Sequence, residues 1–332
     1  MNKRIHWSRF IAMRGKTVII VLVLVIISML LFTWISQLNY TTIDIPHRES
    51  LIPSDAVKIT PETDLHPPIT ISDEYEQPIP LPYPVNSRGA EDSAFIMPDG
   101  NTLYIWFTPD TKGDVHAQAQ DLVTGIYVTH RESAGWTEPE RVWLSEKGVP
   151  VLDGCAFVTK NTMWFCTTRE GYTGLHWFTA AYQQGQWTDW TIADFPPQYE
   201  VGELHIYDDE LYFHSTRPGG HGEYDLWLSH HNNGEWGEPE NIAIVNSEFH
   251  DGWPWISEDG TEMWFTRGEG APNLYRSKRV DGQWTEPELM IQTLAGEASL
   301  DYQGNVYFTH HFYDDEGNML EADIYVAYRR TE

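Results

Sequence analysis

Basic residues are scarce in this chain of 332 residues, which has 21 lysines and arginines against 49 aspartates and glutamates and a formal net charge of −28. Five of the basic residues, and no acid, lie within residues 1–16, so the rest of the chain is more acidic still. Such an excess of carboxylates repels nucleic acid and anionic lipid, and it favours cationic partners. The composition therefore predicts no nucleic-acid partner.

Several sequence motifs of catalysis and metal binding are also absent. The chain has no Gly-rich phosphate loop ahead of a helix pattern and no nucleophile elbow. Its histidines show no His-x-x-x-His spacing with a third ligand, and His205, His214, His310 and His311 are expected at the surface or in loops. The sequence therefore predicts no metal site and no cofactor. A structural Ca²⁺ ion has no support either, because the Asp-Gly pairs of the chain are hairpin turn residues first.

Cysteine is limited to Cys155 and Cys166, which flank one predicted hairpin. If Lys160 and Asn161 form its turn, Cys155 faces Cys166 directly and the two sulfurs can meet. A disulfide and a pair of buried free thiols are both compatible with this pattern.

Short alternating segments, separated by Gly, Asn, Asp or Pro, recur through the chain after about residue 73, as in β-strands joined by tight turns. An aromatic residue followed by Phe occurs five times: Trp106-Phe107, Trp164-Phe165, Tyr212-Phe213, Trp264-Phe265 and Tyr307-Phe308. Each copy precedes a further strand, and most are followed by a Gly-x-Trp or Gly-Trp turn with Pro three residues after the Trp. Repeats of 40–60 residues with four strands each are typical of propeller blades. The sequence predicts an all-β fold, a five-bladed β-propeller of four-stranded antiparallel blades over residues 74–332.

The last repeat ends after its third strand, at Glu332. Residues Glu74–Pro78 match Glu235–Pro239, and Asn86-Ser87 corresponds to Asn246-Ser247. We therefore expect residues 74–85 to supply the missing strand and close the ring, which leaves no open sheet edge.

The N-terminal region contains an apolar run, Val18 to Ile35, of the length that crosses a bilayer as a helix. We predict a cytoplasmic basic segment at 1–16, a transmembrane helix at 17–36 and a Pro-rich stalk at 37–73. The propeller then lies outside the cytoplasm on a single-pass anchor, and the lipid bilayer is a partner of the span. A cleaved signal peptide is the alternative, although no Ala-x-Ala-like site follows the run. No Cys stands at the end of the run either, which excludes a lipoprotein attachment site.

Acidic residues stand at or just before the first strand of every repeat: Asp92, Asp153, Glu200 with Glu203, Asp251, and Glu297. The first strands line the channel of a propeller, so these carboxylates could converge at one mouth and bind a ligand. Alternatively, each acid accepts hydrogen bonds from turn amides as part of the repeat.

The repeat centred on residues 221–267 resembles the TolB-type, WD40-like propeller repeat. The resemblance rests on Asp225-Leu226-Trp227, on Trp236 with Pro239, on Asn246-Ser247, and on Pro254-x-Ile-Ser-x-Asp-Gly before Trp264-Phe265. It extends more loosely over residues 74–332. It implies an extracytoplasmic module that binds proteins or acts as a scaffold.

A fainter resemblance is to five-bladed glycosidases of the arabinanase and xylosidase type. It implies a catalytic base, a pKa-tuning acid and a general acid at Asp92, Asp153 and Glu200 or Glu203, in that order. Trp253 and Trp255, two apart on a strand, would then share a face and stack against sugar. The Pro or Gly-Pro that follows two of these acids in such enzymes is absent here.

The sequence thus predicts a membrane-anchored, extracytoplasmic propeller that binds a protein or glycan at one end of its ring, with Asp251, Glu297, Trp253 and Trp255 as ligand-binding candidates. A glycosidase-like hydrolase using the acids of three successive blades is the alternative. A third reading is an envelope scaffold with no small ligand.

Overall fold

The computed structural model describes residues 44–169, 176–193, 195 and 200–331. The predicted segments 1–16 and 17–36, and the first residues of the predicted stalk, lie outside that part of the chain. Within it, no helix has the length and hydropathy needed to cross a membrane. Ile45–Glu332 forms one compact unit.

The strands are short and follow one another in five groups. An N-terminal segment holds a 3₁₀ turn at Arg48–Leu51, β1 (Ile69–Thr70) and β2 (Ile79–Pro80). Blade 1 comprises β3 (Ala90–Ile96), β4 (Thr102–Thr108), helix α1 (Val115–Gln120), β5 (Gly125–Glu132), β6 (Gly135–Trp136) and β7 (Glu140–Arg141). Blade 2 comprises β8 (Leu152–Thr159), β9 (Thr162–Thr168), β10 (His176–Gln183) and β11 (Gln186–Ile192).

The other three blades repeat this order. Blade 3 comprises β12 (Leu204–Tyr207), β13 (Glu210–Ser215), β14 (Asp225–Asn232), β15 (Glu235–Trp236) and β16 (Glu240–Asn241). Blade 4 comprises β17 (Asp251–Ile256), β18 (Glu262–Glu269), β19 (Ala271–Val280), β20 (Gln283–Trp284) and β21 (Glu288–Gln292). Blade 5 comprises β22 (Ala295–Leu300), β23 (Val306–Tyr313) and β24 (Met319–Ala327).

Each blade is an antiparallel sheet whose first strand lies innermost. The strands β3, β8, β12, β17 and β22 are sheet edges, and each contacts the next around a common axis. This confirms the predicted five-bladed propeller. We call the face at which the innermost strands begin the upper face, and the face that carries the turns of the first hairpins the lower face.

The outermost strand is broken in three blades, where the Pro that follows Trp removes a backbone donor. Pro139 separates β6 from β7, and Pro239 and Pro287 separate the corresponding pairs in blades 3 and 4. Blade 2 lacks this Pro, and its β11 runs unbroken. The Trp-x-x-Pro element of the repeat is therefore a strand break.

The N-terminal strand closes the ring as predicted. Ile79 and Pro80 pair with Val326 and Tyr325 of β24, and Tyr75 bridges to Arg329. The Asn side chain just after this strand repeats the role of its counterpart in blade 3. Asn86 binds the N–H and C=O groups of Ile324, as Asn246 binds those of Leu226.

The pairing of the first two strands of blade 1 corrects the predicted alignment of that repeat with the others. In blade 4 Trp255 faces Trp264, whereas in blade 1 Phe95 faces Tyr104. The blade 1 equivalent of the aromatic-Phe pair is therefore Tyr104-Ile105, two residues before the predicted Trp106-Phe107. The number of blades is unaffected.

The structure also corrects the predicted stalk, because residues 45–73 pack against the ring instead of extending away from it. Lys58 pairs with Glu321 and Asp323 of β24, and the Asp64 carboxylate lies 3.0 Å from Nε2 of His310. Strand β1 adds to the outer edge of blade 4 by pairing with β21. The Pro residues that suggested a stalk separate these contacts, and the charges between them find partners on the blades.

A buried arginine–carboxylate pair recurs near the upper face. In blade 4 Arg267 binds Asp251 at 2.6 Å, and in blade 2 Arg169 binds Asp153 at 2.8 Å. Blade 1 has Phe107 at the position of Arg267.

The missing cation of blade 1 comes from the N-terminal segment. Arg48 lies above the ring of Phe107 and binds Glu91 at 2.9 Å, with both side chains buried. The segment is therefore part of the folding unit.

Replacing Arg48 by Met should lower the free energy of unfolding by up to about 3–5 kcal/mol, because it removes the cation that Glu91 binds. Burial raises the pKa of Glu91 to about 8 although Arg48 opposes that rise, so the variant must bury Glu91 either protonated or as an unpaired charge. Chemical denaturation of the purified chain measures this. Arg88→Met, which removes an exposed arginine, is the control, with an expected change within about 0.5 kcal/mol. The double variant Arg48→Met with Glu91→Gln should recover much of the loss. Equal stability of the two single variants would contradict the assigned role.

Candidate functional site

The innermost strands do not alternate regularly, and this decides which side chains reach the axis. In four of them the register slips by one residue at a bulge, and a non-glycine residue there has a positive φ: Ser93, Cys155, Trp253 and Glu297. A bulge bends the strand and redirects the side chains around it. Glu203 holds the corresponding place in blade 3, two residues before His205, which pairs with Tyr212.

The bulge in blade 2 carries the disulfide. Cys155 and Cys166 are bonded, with their Cα atoms 5.4 Å apart. The predicted hairpin register holds from Thr159 to Phe157, but Gly154 and not Cys155 lies opposite Cys166. The positive φ of Cys155 brings its sulfur to the partner strand.

A layer of rings closes the channel near its middle. The centroid distances are 5.6 Å from Phe95 to Phe157, 4.6 Å from Phe157 to His205, and 5.8 Å from His205 to Trp255. In blade 5 the corresponding residue is Ser299, which binds the backbone of blade 1 at Ala94. Below this layer lies a cavity of about 340 Å³, and above it one of about 50 Å³.

The small upper cavity is acidic. Glu203 and Glu297 line it together with Ser93 and Trp253. At its edge Asp92 lies 3.4 Å from Nε2 of His311, measured from its Oδ1 atom. One potential ligand atom from each of Asp92, Glu297 and His311 lies within 4.8 Å of the other two. Carboxylates of blades 1, 3 and 5 thus converge, and we call this group, with His311, the upper acidic cluster.

Burial and mutual repulsion divide the acids of the cluster into two kinds. Burial opposes ionisation of Asp92, but the His311 imidazole and the Ser93 N–H outweigh this and hold the pKa of Asp92 below its usual range. Burial and then the Asp92 charge raise the pKa of Glu203 to about 8. The same two causes raise the pKa of Glu297 well above its usual range. At neutral pH the cluster therefore holds Asp92 as a carboxylate anion beside Glu203, which keeps its proton, and Glu297, whose ionisation is likewise opposed.

Aromatic side chains form one wall of the mouth. The Trp253 ring lies 4.9 Å from the ring of His214, which is 5.4 Å from that of Tyr224. The Trp253 backbone N–H donates to Nδ1 of His214, so the imidazole carries its proton on Nε2. Burial lowers the pKa of His214 to about 4, which keeps it neutral.

The remaining predicted site residues lie elsewhere. Asp153 and Asp251 are buried in their arginine pairs, and Asp251 also accepts hydrogen bonds from Ser247. Glu200 is exposed and 3.5 Å from the Thr216 hydroxyl.

Trp253 and Trp255 do not form a platform, because the bulge breaks the alternation between them. Trp255 belongs to the aromatic layer and is only 9% exposed. The acids at the strand starts thus form two groups, of which one is structural and the other surrounds the axis.

The prediction that four histidines lie at the surface or in loops is wrong. His205, His214, His310 and His311 are each no more than 9% exposed. The signal that could have found His311 is the alternation of β23, which places it on the same face as Tyr313. Those two rings are 6.2 Å apart, beside the cluster.

Known structures are similar to this chain at low sequence identity. TolB from Acinetobacter baumannii matches with 12% identity and a TM-score of 0.41, over 74% of this chain and 56% of that one, so the chain spans little more than half of it. An endo-arabinase from Bacteroides thetaiotaomicron matches with 13% identity and a TM-score of 0.45, over 76% and 98% of the two chains. The GH43B protein of the Bacteroides ovatus xyloglucan PUL gives 13% and 0.47, over 75% and 54%.

These neighbours include TolB proteins, an endo-arabinase and a GH43 protein, which are the two groups that the sequence resemblances name. No protein-family model and no curated protein matches the sequence.

The raised pKa of Glu203 makes stability depend on pH. Between about pH 4.5 and 8 the unfolded chain loses this proton while the folded chain keeps it, so stability falls as pH rises through that window. Glu203→Gln should reduce the fall and stabilise the protein at pH 8 by an amount on the order of a few kcal/mol. Denaturation at pH 5 and pH 8 measures both effects. Glu258→Gln, an exposed acid on the lower face, is the control, and an equal response of the two variants would contradict the assignment.

Proposed function

We propose that the chain is a membrane-anchored, extracytoplasmic propeller that binds a protein or glycan partner at its upper face. Residues 17–36 are the proposed anchor, and the basic residues before them favour a cytoplasmic N-terminus. The bond between Cys155 and Cys166 supports an oxidising compartment for the propeller, because disulfides rarely persist in the cytosol.

The proposed binding role rests on one observation: the acids of the upper acidic cluster have no Lys or Arg partner among the described residues. Glu91, Asp153 and Asp251 are each paired with an arginine. By contrast, Asp92, Glu203 and Glu297 form no ion pair with Lys or Arg in the part of the chain that the structure describes. Buried acids that lie together without a basic partner destabilise a fold. Arrangements that lower stability in this way are expected at functional sites.

The chemistry of the mouth indicates what kind of group it receives. The ionised Asp92 attracts a cationic group, whose charge would in turn favour ionisation of Glu203 and Glu297. The overall negative charge draws such a partner towards the ring. The upper cavity of about 50 Å³ is far smaller than the roughly 300 Å³ or more of a typical small-molecule pocket. A partner would therefore lie on the upper face and place only a small cationic group in the mouth.

The proposed topology predicts that a cysteine at the exposed Asp73 is labelled by a membrane-impermeant maleimide while the plasma membrane is intact. The control, Ser8→Cys, should react only after the membrane is permeabilised. Labelling of Asp73→Cys only after permeabilisation would contradict the topology. Loss of residues 1–36 from the mature chain would identify a cleaved signal peptide in place of an anchor.

Binding at the upper face can be tested by site-specific photo-crosslinking in cells. A photoreactive residue at Tyr313, 38% exposed beside the cluster, should give a defined crosslinked product that is weakened by Asp92→Asn, because Asp92 is the ionised acid of the cluster. The matched position is Tyr302, 67% exposed on the lower face, where no such product is expected. Equal products from both faces, or no effect of Asp92→Asn, would exclude the proposed surface.

A glycosidase-like hydrolase is the second candidate. Its support is the difference in protonation between Asp92, which is ionised, and Glu203, which holds its proton as a general acid must. Against it, Asp153 is held by Arg169 away from the other two, and the cavity is too small for a sugar ring. Release of nitrophenol from aryl arabinofuranosides or xylosides that is abolished by Asp92→Asn would establish this alternative.

A further inference from the structure

We propose that Asp92, Glu297 and His311 bind a divalent transition-metal ion, with Zn²⁺ as the best match, at the upper mouth of the channel. This inference rests on the proposed role of the upper acidic cluster as a binding site. It supplies the cation that the cluster attracts.

The spacing of the three side chains is close to that of a metal site. Zinc ligands lie about 2.1 Å from the ion, so neighbouring ligand atoms in a tetrahedron are about 3.4 Å apart. Asp92 Oδ1 and His311 Nε2 are 3.4 Å apart. The ligand atoms of all three residues lie within 4.8 Å of one another. The widest of these separations exceeds the tetrahedral spacing by no more than about 1.4 Å, which a shift of the Glu297 carboxylate would close.

Two buried atoms in this group have no protein partner. Among the described residues, Glu297 Oε2 and His311 Nδ1 form no hydrogen bond, although both are shielded from solvent. His311 is only 7% exposed. Buried polar atoms are almost always paired, and an unpaired one requires an explanation such as an ion or water. A metal ion bound by Glu297 and His311 would be the direct partner of the Glu297 carboxylate oxygen.

The donor set favours a transition metal over Ca²⁺ or Mg²⁺. Those two ions prefer six or more oxygen ligands or a shell of retained waters, whereas imidazole with carboxylates suits Zn²⁺ and its neighbours. The cavity of about 50 Å³ has room for an ion and one or two waters, each of which needs at least about 10–15 Å³. Binding would favour ionisation of Glu297, and the two carboxylates would then balance the charge of the ion.

Within the described residues, no Lys or Arg pairs with Asp92, Glu297 or His311. The neighbouring groups that act on the two acids are Glu203, Ser93, Thr309 and Tyr313, none of which carries positive charge. Both cysteines are bonded to each other and therefore offer no thiolate ligand elsewhere in the chain. A stoichiometric site for Zn²⁺ would thus be expected at the cluster.

The test is Zn²⁺ binding by the untagged full-length chain after treatment with a chelator, followed by calorimetry and by the anomalous signal of a Zn²⁺-soaked crystal. We expect one strong site and an anomalous peak between Asp92, Glu297 and His311. Glu297→Gln, which keeps the shape of the side chain, should weaken binding at least tenfold, and His311→Gln should do the same. Glu258→Gln on the lower face is the control and should leave the affinity unchanged.

A Zn²⁺ peak elsewhere, no stoichiometric binding, or stronger binding of Ca²⁺ than of Zn²⁺ would overturn the metal site. The circular dichroism of each variant shows whether a loss of binding reflects unfolding. The partner proposal fails separately: it is excluded if the Tyr313 position gives no crosslink even when Zn²⁺ is bound. Conversely, a crosslink that persists in a chain unable to bind Zn²⁺ leaves the partner role intact and removes the metal.

Discussion

The pairing of the N-terminal strand β2 with β24 is the contact on which the rest of the fold depends. A sheet edge left open at blade 5 would expose unpaired backbone groups of β24. Closing the ring from the other end of the chain satisfies them and joins the first blade to the last. It also fixes the five innermost strands about one axis, and only that arrangement brings Asp92 of blade 1 to Glu297 and His311 of blade 5.

The bulges then sort the acids of the upper face by their function. Asp251 and Asp153, four residues before the aromatic layer, each bind an arginine and become part of the frame. Glu203 and Glu297, two residues before that layer, line the axial cavity, where they meet the charge of Asp92. A shift of one or two residues along the same strand thus separates a neutralised buried charge from one that is left without a counter-ion.

The fold could be predicted from the sequence because each blade repeats the same local sequence patterns. Aromatic strands, Gly-Trp turns and the match of Glu74 to Glu235 predicted the blades and the closure. The site was less readable, because a bulge depends on the backbone of two strands and leaves no fixed residue pattern. The prediction that Trp253 and Trp255 share one face failed for that reason. The packing of Arg48 on Glu91 was equally hidden, because the partners are 43 residues apart and belong to different elements.

Comparison of the blades with one another indicates which positions the fold leaves free. The strand breaks, the Asn clasp and the buried arginine pairs recur in several blades, since each solves the same packing problem. The position two residues before the aromatic layer is not constant: it is Ser93, Cys155, Glu203, Trp253 and Glu297 in turn. If packing dictated this residue, the five blades would have similar side chains there. The chain instead places four different residue types, with Glu twice, around one axis, which is how a common frame can carry a specific site.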